Sequence, residues 1–459
     1  MTGIRCYGTY LPAHRLARAD IAAAVGESAT GTRVVAGPDE DSTTLAVAAG
    51  HAALGGSRDV DAVWFATTAP AYADKTNAVT AHAALGLPDA VGAFDLGATV
   101  RSGAAALLAA SRGPGLALLS DVREGHTGGT EERTSGDGAA AFVFGEHDLL
   151  ADLVGTTSVS AEFLDRWRRP GDTGSRGWEE RFGEGEYSRL AEQAFTDLLK
   201  RTGIAATDLS AVAVSGPNAR AVRTTGRWLQ RQTGALEPGT DLAAAVGNTG
   251  AAHTGLALAD MLDQARPGDT LLLMSLADGA DAFLFRATDR IVTGRPRPLR
   301  DGLASGKVVP YATYLLWRGR VEREPARRPE PVRPSAPFAA RNAAFKFGFA
   351  GGRCRSCGTV QFPGPRVCLR CRAIDGFEPV PVAGQCGRIV TFTVDHLAYS
   401  PNPPTISAVV DLDAGGRVQI ELTDCEPGEI AVGDAVELTF RRLGTVEGIH
   451  NYFWKARPR

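Results

Sequence analysis

The feature that most limits the fold is a pattern that occurs twice, in the same order, along the first part of the chain. In the first copy a helix-forming stretch, Ser42 to Leu54, leads to a β-branched run from Asp59 to Ala66. Further on, Gly115 to Asp121 runs through Gly136-Asp137-Gly138 to Ala139–Phe144. In the second copy a helical stretch, Tyr187 to Arg201, leads to Asp208–Ser215, and Thr270–Ser275 runs through Asp278-Gly279 to Ala280–Phe285. A helix–strand unit and then a strand–turn–strand unit, both repeated in order, predict an α/β core with a parallel or mixed sheet, made by duplication and carrying a pseudo-twofold axis. Chance likeness between Ala-rich α/β segments is the alternative.

At 459 residues the chain exceeds one ordinary core. Its 44% hydrophobic and 22% charged residues are those of a soluble globular protein. A net charge of -3 gives no reason to expect nucleic acid or an anionic membrane as partner. The N-terminus passes straight into strand-like Gly3–Gly8 without a signal-peptide pattern. Apolar runs break well short of the ~20 residues a membrane span needs. The expectation is a cytoplasmic protein with no nucleic acid and no membrane among its partners.

After residue 300 the composition shifts. Residues 321–337, rich in proline and charge, read as an extended linker. The expected organisation is 1–150 and 151–320 for the two halves of the body, then the 321–337 linker. A docking helix and metal ribbon follow over 338–380, and a small barrel over 381–459. The amphipathic stretch with Phe338, Phe345, Phe347 and Phe349 lacks a continuous basic face and reads as a docking segment rather than a membrane anchor. Short alternating strands (Arg388–Val394, Thr405–Val410, Val418–Leu422, Ala435–Phe440) fit an all-β OB-fold barrel.

Four of the seven cysteines form two C-x-x-C knuckles, Cys354/Cys357 and Cys368/Cys371, with ten residues between them. Each knuckle offers two thiolates from one tight turn, and four thiolates fill a zinc tetrahedron with no open position. A structural zinc ribbon is therefore expected, with a redox pair or metal-free thiols as the alternative. Cys6, Cys386 and Cys425 are too scattered for a disulfide framework.

A Gly-lined turn, Phe94 to Arg101, leads into the Ala-rich run Ser102–Ala110. This is the elbow on which thiolase-type enzymes present a cysteine, where backbone N–H groups at a helix N-terminus lower a thiol's pKa. Val100 stands there, and no cysteine occurs between Cys6 and Cys354. Covalent acyl transfer through this position is excluded. Other matching pieces are Tyr7–Pro12, Asp39–Thr44, Tyr72-Ala73-Asp74-Lys75, Asp165–Arg169, Arg181-Phe182, Gly247-Asn248-Thr249, Tyr311–Tyr314 and Trp317-Arg318-Gly319. On these residues 1 to about 320 resemble the microbial hydroxymethylglutaryl-CoA synthases of the thiolase superfamily. From about 338 onward the chain resembles zinc-ribbon/OB-fold proteins that associate with thiolases and with these synthases, bridging subunits and helping to hold CoA.

The resemblance implies a duplicated thiolase-like five-layer αβαβα body followed by the zinc ribbon and OB-fold barrel. It also implies a CoA thioester substrate and a homodimer. The synthases use a Glu base, a Cys nucleophile and an assisting His; matching the motifs puts Thr68, Val100 and Ser215 at those positions. None of the three ionises near pH 7. Asn248 survives in the Gly-Asn-Thr loop, where the superfamily's amide stabilises an oxyanion or enolate. His253 and Tyr72 are candidate acid–base groups, with plain packing as the alternative for each. Asp121, Arg123, Glu124 and His126 read as a solvated polar loop. Arg166, Arg168 and Arg169 are candidates for the CoA phosphates, or else a solvated face. Two functions follow: an acyl-CoA or acyl-carrier carbon–carbon bond enzyme of aldol or retro-aldol type, a lyase or transferase without a cysteine nucleophile; or a non-catalytic acyl-CoA-binding scaffold for a partner thiolase or synthase.

Overall fold

The computed structural model describes residues 2–234, 242–304, 306–324, 326 and 328–459. Positions 325 and 327 of the expected linker thus lie outside the described residues. The chain divides into two compact units.

The first unit comprises residues 1–36, 41–78 and 89–311. Its sheet has nine strands among the described residues. One half runs Gly3–Tyr10, Gly138–Gly145, Gly115–Asp121, Ala62–Ala66, Gly92–Leu96. The other runs Ala151–Ser160, Gly279–Ala287, Thr270–Leu276, Ala211–Ser215. The halves meet where Gly3 and Ile4 pair with Asp152 and Ala151. In each half the first two junctions are antiparallel and the third is parallel. Identical order and sense in both halves are what the repeated sequence pattern predicts.

Strands Gly115–Asp121, Gly138–Gly145 and Thr270–Leu276 are buried at every position. That is why they read as continuous apolar runs rather than alternating ones. Helix Ser42–Leu54 covers one face of the first half. Helices Ser102–Ala110 and Ala251–Gln264 pack on its other face, and Ala251–Gln264 also packs on Ala211–Ser215 and Thr270–Leu276. Helices Glu180–Thr202 and Ala219–Thr233 cover the far side of the second half. Helix, sheet, helix, sheet, helix: the five layers follow from these contacts. The central helices approach through Gly103, where a Cβ would lie 2.3 Å from the Ala251 carbonyl oxygen.

Local signals set the helix ends. The Asp41 carboxylate accepts from Thr44 N at 2.9 Å in a reciprocal capping box, and Gly55 closes the helix with φ 54°. Helix Glu180–Thr202 starts before the expected Tyr187. Gly183 and Gly185 interrupt its first turns and mask the periodicity.

The second unit comprises residues 312–459 with two short excursions, 37–40 and 79–88. Its barrel closes in the order Cys386–Asp395, Thr405–Leu412, Arg417–Leu422, Ile449–Pro458, Ala435–Val446. A three-stranded ribbon joins Val360–Gln361, Ala350–Cys354 and Phe377–Pro381. The amphipathic stretch forms two short helices, Ala336–Arg341 and Ala343–Lys346, parted at Asn342. Phe345 and Phe349 pack on Phe453, Phe347 on Phe440, and Phe349 also on Phe362 and Trp454. Phe338 stays exposed.

A buried charge cluster occupies this unit. Arg441, fully buried, lies 2.9 Å from Glu40, 2.7 Å from Asp424 and 3.6 Å from Asp39. Lys455 sits 3.0 Å from both Asp39 and Glu421. No helix among the described residues is long and apolar enough to cross a membrane.

Candidate functional site

Strand ends and the start of helix Ala251–Gln264 link Thr68, Ser215, Asn248 and His253 in the first unit through short hydrogen-bonded steps. Val100 lies in the turn just before helix Ser102–Ala110. The next residue, Arg101, grips Asp281 with two bonds of 2.9 and 3.1 Å and donates to the Asp278 carbonyl at 2.8 Å. The elbow is thereby tied to a strand of the second half, a role no sequence signal flagged.

Thr68 is buried at the end of strand Ala62–Ala66. Its N–H donates to Asp121 Oδ1 at 2.6 Å, and the other Asp121 oxygen accepts from Ala251 N at 2.7 Å. One carboxylate thus couples Thr68 to the start of helix Ala251–Gln264. Ser215 is also buried and shares a hydroxyl chain with Thr254 (2.9 Å), which meets Ser275 at 3.2 Å. Asn248 donates from Nδ2 to the Gly216 carbonyl at 2.8 Å and accepts from Gly250 N at 2.9 Å. Gly250 has φ 58°, and a Cβ there would fall 2.2 Å from Asp121 Oδ2. Only glycine fits this turn. His253 is buried and its Nδ1 faces Thr249 N and Oγ1 at 3.5 and 3.3 Å.

The polar loop after Asp121 departs from the solvated reading. Asp121 and Arg123 are 0% and 7% exposed, because both serve the strand-end network. Burial pushes the Asp121 carboxyl up, while Arg123 and hydrogen bonds from Ala251, Thr68 and Thr67 oppose the rise. His126 alone in that group is exposed, and Glu124 is half-buried. Arg123 donates to Thr68 Oγ1 at 3.1 Å and to Glu131 at 2.9 Å. Glu131 also takes Arg166 and the Ser175 N–H (2.7 Å). Burial alone would raise the Glu131 carboxyl; Arg166 and Arg123 override it and hold it below the ordinary range.

The three arginines 166, 168 and 169 do not share one face. Arg166 turns to Glu131 and Arg168 to the Thr68 carbonyl, while exposed Arg169 pairs with Asp172 at 3.3 Å. Tyr72 sits in a loop held by Asn77, with Lys75 Nζ 5.9 Å from its ring centroid. A separate cavity of about 390 Å³ lies against helix Ser102–Ala110, walled by Leu96, Leu108, Phe283 and the Arg101–Asp281 pair. Thr68, Val100, Ser215, Asn248 and His253 do not line it.

In the second unit the four cysteine sulfurs lie within 4.8 Å of one another. Cys354 and Cys371 are 3.6 Å apart, as are Cys357 and Cys368. Tetrahedral zinc with ~2.3 Å bonds needs sulfurs ~3.8 Å apart, so the set is compatible with this ion.

Five layers and a doubled sheet define a thiolase-type fold. A hydroxymethylglutaryl-CoA synthase solved with CoA aligns with a TM-score of 0.61 at 20% identity, over 73% of this chain and 93% of that one. The hydroxymethylglutaryl-CoA synthase of Methanosphaera stadtmanae is 30% identical over 350 residues, 70% of this chain and 99% of the relative. That of Methanopyrus kandleri is 31% identical over 334 residues, 68% of this chain and 95% of the relative. Residues 379–441 match the family model of the ChsH2 C-terminal OB-fold domain. The chain belongs to the hydroxymethylglutaryl-CoA synthase family, a group of acyl-CoA condensation-type enzymes, and carries an added OB-fold module.

Proposed function

We propose that this chain makes or breaks a carbon–carbon bond in an acyl-CoA, or acyl-carrier, thioester without a covalent intermediate. The support for the reading is that Thr68, Val100 and Ser215 carry no ionisable group, while the Asn248 amide is held in place by the Gly216 carbonyl. Retro-aldol cleavage suits such a site because it needs an enolate acceptor but no nucleophile. The β-hydroxyl loses its proton, its carbonyl forms as Cα–Cβ breaks, the electron pair passes into the thioester enolate, and Cα takes up a proton. Asn248 spends one N–H on Gly216, leaving the second for the enolate oxygen. The Thr249 N–H directed at His253 Nδ1 leaves the proton of the neutral ring on Nε2, which can then donate a hydrogen bond to a substrate oxygen, so the β-hydroxyl proton passes to another base. Tyr72 is the second acid–base candidate.

CoA thioesters are the substrate class by kinship with the synthases, and Arg169, exposed and tied only to neighbouring Asp172, is the phosphate candidate. Cys354, Cys357, Cys368 and Cys371 hold a structural zinc, with every coordination position filled by protein. Two copies pair as a homodimer through the sheet edge Gly92–Leu96, where Phe94 is half exposed. The protein works in the cytoplasm.

The test is mass spectrometry of products after mixing zinc-loaded protein with acetyl-CoA, acetoacetyl-CoA and a series of β-hydroxyacyl-CoAs. A shorter CoA ester plus an aldehyde or ketone is expected, and Asn248→Ala should slow its release by about 10²–10³-fold. A second reading, a non-catalytic acyl-CoA-binding scaffold for a partner thiolase or synthase, is favoured by the absence of any ionisable side chain at the three vacated positions. CoA binding with an untouched substrate series would select it.

A further inference from the structure

Within the second unit, the stretch before helix Ala336–Arg341 alternates proline and charge: Arg328-Pro329-Glu330-Pro331-Val332-Arg333-Pro334. The three prolines fix φ and keep residues 328–334 extended, and these residues form neither helix nor strand. Composition of this kind normally runs through solvent. Here it lies on the barrel of its own unit. Arg328 Nη1 meets Asp395 Oδ2 at 2.8 Å, and Arg333 Nη1 meets Glu447 Oε2 at 2.8 Å. Between them the Tyr399 hydroxyl donates to Glu330 Oε1 at 2.7 Å. Upstream, Trp317 Nε1 donates to Asn402 Oδ1 at 3.4 Å. Successive side chains thus engage the loop after strand Cys386–Asp395 and then the turn that follows strand Ala435–Val446.

Those two places are the tips of two arms. Cys386–Asp395 pairs with Thr405–Leu412 as far as Asp395 and Thr405, and Ala435–Val446 pairs with Ile449–Pro458 as far as Val446 and Ile449. The arms join each other near their bases, where Cys386–Arg388 meets Ala435–Glu437 and where Leu422 meets Ala456. Among the described residues no ladder joins their outer ends. The segment from Arg328 to Arg333 spans at most about 18 Å and bridges the side that the ladders leave open. Proline lowers the chain entropy lost when such a segment is held. Both ion pairs are nevertheless open to solvent, and with the Tyr399 contact they are the hydrogen bonds that fasten residues 328–334 among the described residues. Exposed pairs contribute little singly and are screened by salt. A segment fastened this way lets go without any core unpacking.

We infer that residues 328–333 are a salt-releasable strap that ties the two arms of the OB-fold barrel across its open side. Fastened, it restrains the arm tips against each other and covers Asp395, Tyr399 and Glu447. Released, it uncovers all three together and gives the barrel an open, acidic side. The inference is independent of the acyl-thioester reading.

The experiment is electron paramagnetic resonance on the full-length, zinc-loaded protein. Val332, between two of the contacts, is 93% exposed, so a nitroxide on Val332→Cys reports the motion of the strap itself. Exposed Cys6 is replaced by serine, and the same protein without Val332→Cys, labelled in parallel, sets the background. A slow component is expected at 0.1 M NaCl. It should be lost at 1 M NaCl, where the Debye length falls from about 10 Å to about 3 Å. Asp395→Asn combined with Glu447→Gln should lose it already at 0.1 M. Should that variant fail to fold, as zinc content and circular dichroism report, the salt comparison still decides. A second pair of labels on exposed Leu397→Cys and Ile449→Cys reads the arms, and its distance distribution should broaden whenever the strap lets go. A label that is already mobile at 0.1 M overturns the inference. So does a slow component that survives both salt and the charge variant, because packing would then hold the segment. Release without broadening overturns the tying of the arms.

Discussion

Arg441→Met is the most informative single change in the second unit. Arg441 is completely buried and faces Glu40, Asp424 and Asp39 at 2.9, 2.7 and 3.6 Å. Methionine fills the volume of the stem but leaves three acids facing Lys455 and the more distant Arg457, which is 4.0 Å from Asp424. Removing one partner from a buried ionic group costs about 3–5 kcal/mol, because the remaining charges stay desolvated. For a unit of this size each kcal/mol moves the midpoint by about 2–4 °C, so its melting transition should fall by about 6–20 °C. The pH dependence gives a second readout. Burial alone would raise the Asp39 carboxyl; Lys455 and Arg441 overcome it and hold it below the ordinary range. A carboxyl lowered on folding contributes stability above its unfolded pKa of ~3.9, and that stability is lost as pH falls through the folded value. Without Arg441 the burial penalty gains weight, so the acid-side loss should begin at a higher pH. Differential scanning calorimetry from about pH 2 to 8 reads both effects. A variant that melts within about 1 °C of the parent, with an unmoved acid limb, refutes the reasoning.

Three further outcomes are expected. Metal analysis should find about one zinc per chain, and Cys368→Ser should lose it together with the ribbon's protection from proteolysis. Val100→Cys should gain a thiol that alkylating reagents label, yet acquire no hydroxymethylglutaryl-CoA synthase turnover, because Thr68 and Ser215 still lack the acid–base groups; coupled turnover in that variant or the parent would contradict the account of this site. Arg101→Met, which breaks the paired bonds to Asp281 in a partly buried setting, should lower first-unit stability by about 1.5–3 kcal/mol in urea titration.

The duplicated core was legible because strands buried on both faces leave long apolar runs, and helix Ser42–Leu54 has both its expected ends where Asp41 and Gly55 cap it. The cysteine spacing likewise pointed to a four-sulfur cluster before any coordinates. What sequence hid was mostly long-range. The final barrel strand, Ile449–Pro458, contains no strict alternation and is recognisable only by its pairing with Ala435–Val446. Arg123 looked like part of a solvated loop because local polarity does not reveal that Thr68, Glu131 and Gly250 surround it. The Arg441 cluster draws on residues around 40, 424 and 455, far apart in the chain, and no local pattern announces such a meeting.

The central helix Ala251–Gln264, which touches strands of both halves, sets a schedule for the newborn chain. The first half completes its last strand at Gly145, but the helix that shields its inner face and the strands beyond it finish only at Ala287. At ~5–20 residues per second the ribosome needs about 7–28 s to cover that distance. During this interval the Ala- and Leu-rich helix Ser102–Ala110 and the inner sheet face lack their counterpart. Yield of active protein should therefore depend on translation speed and on holding chaperones more than on the final stability of the folded chain.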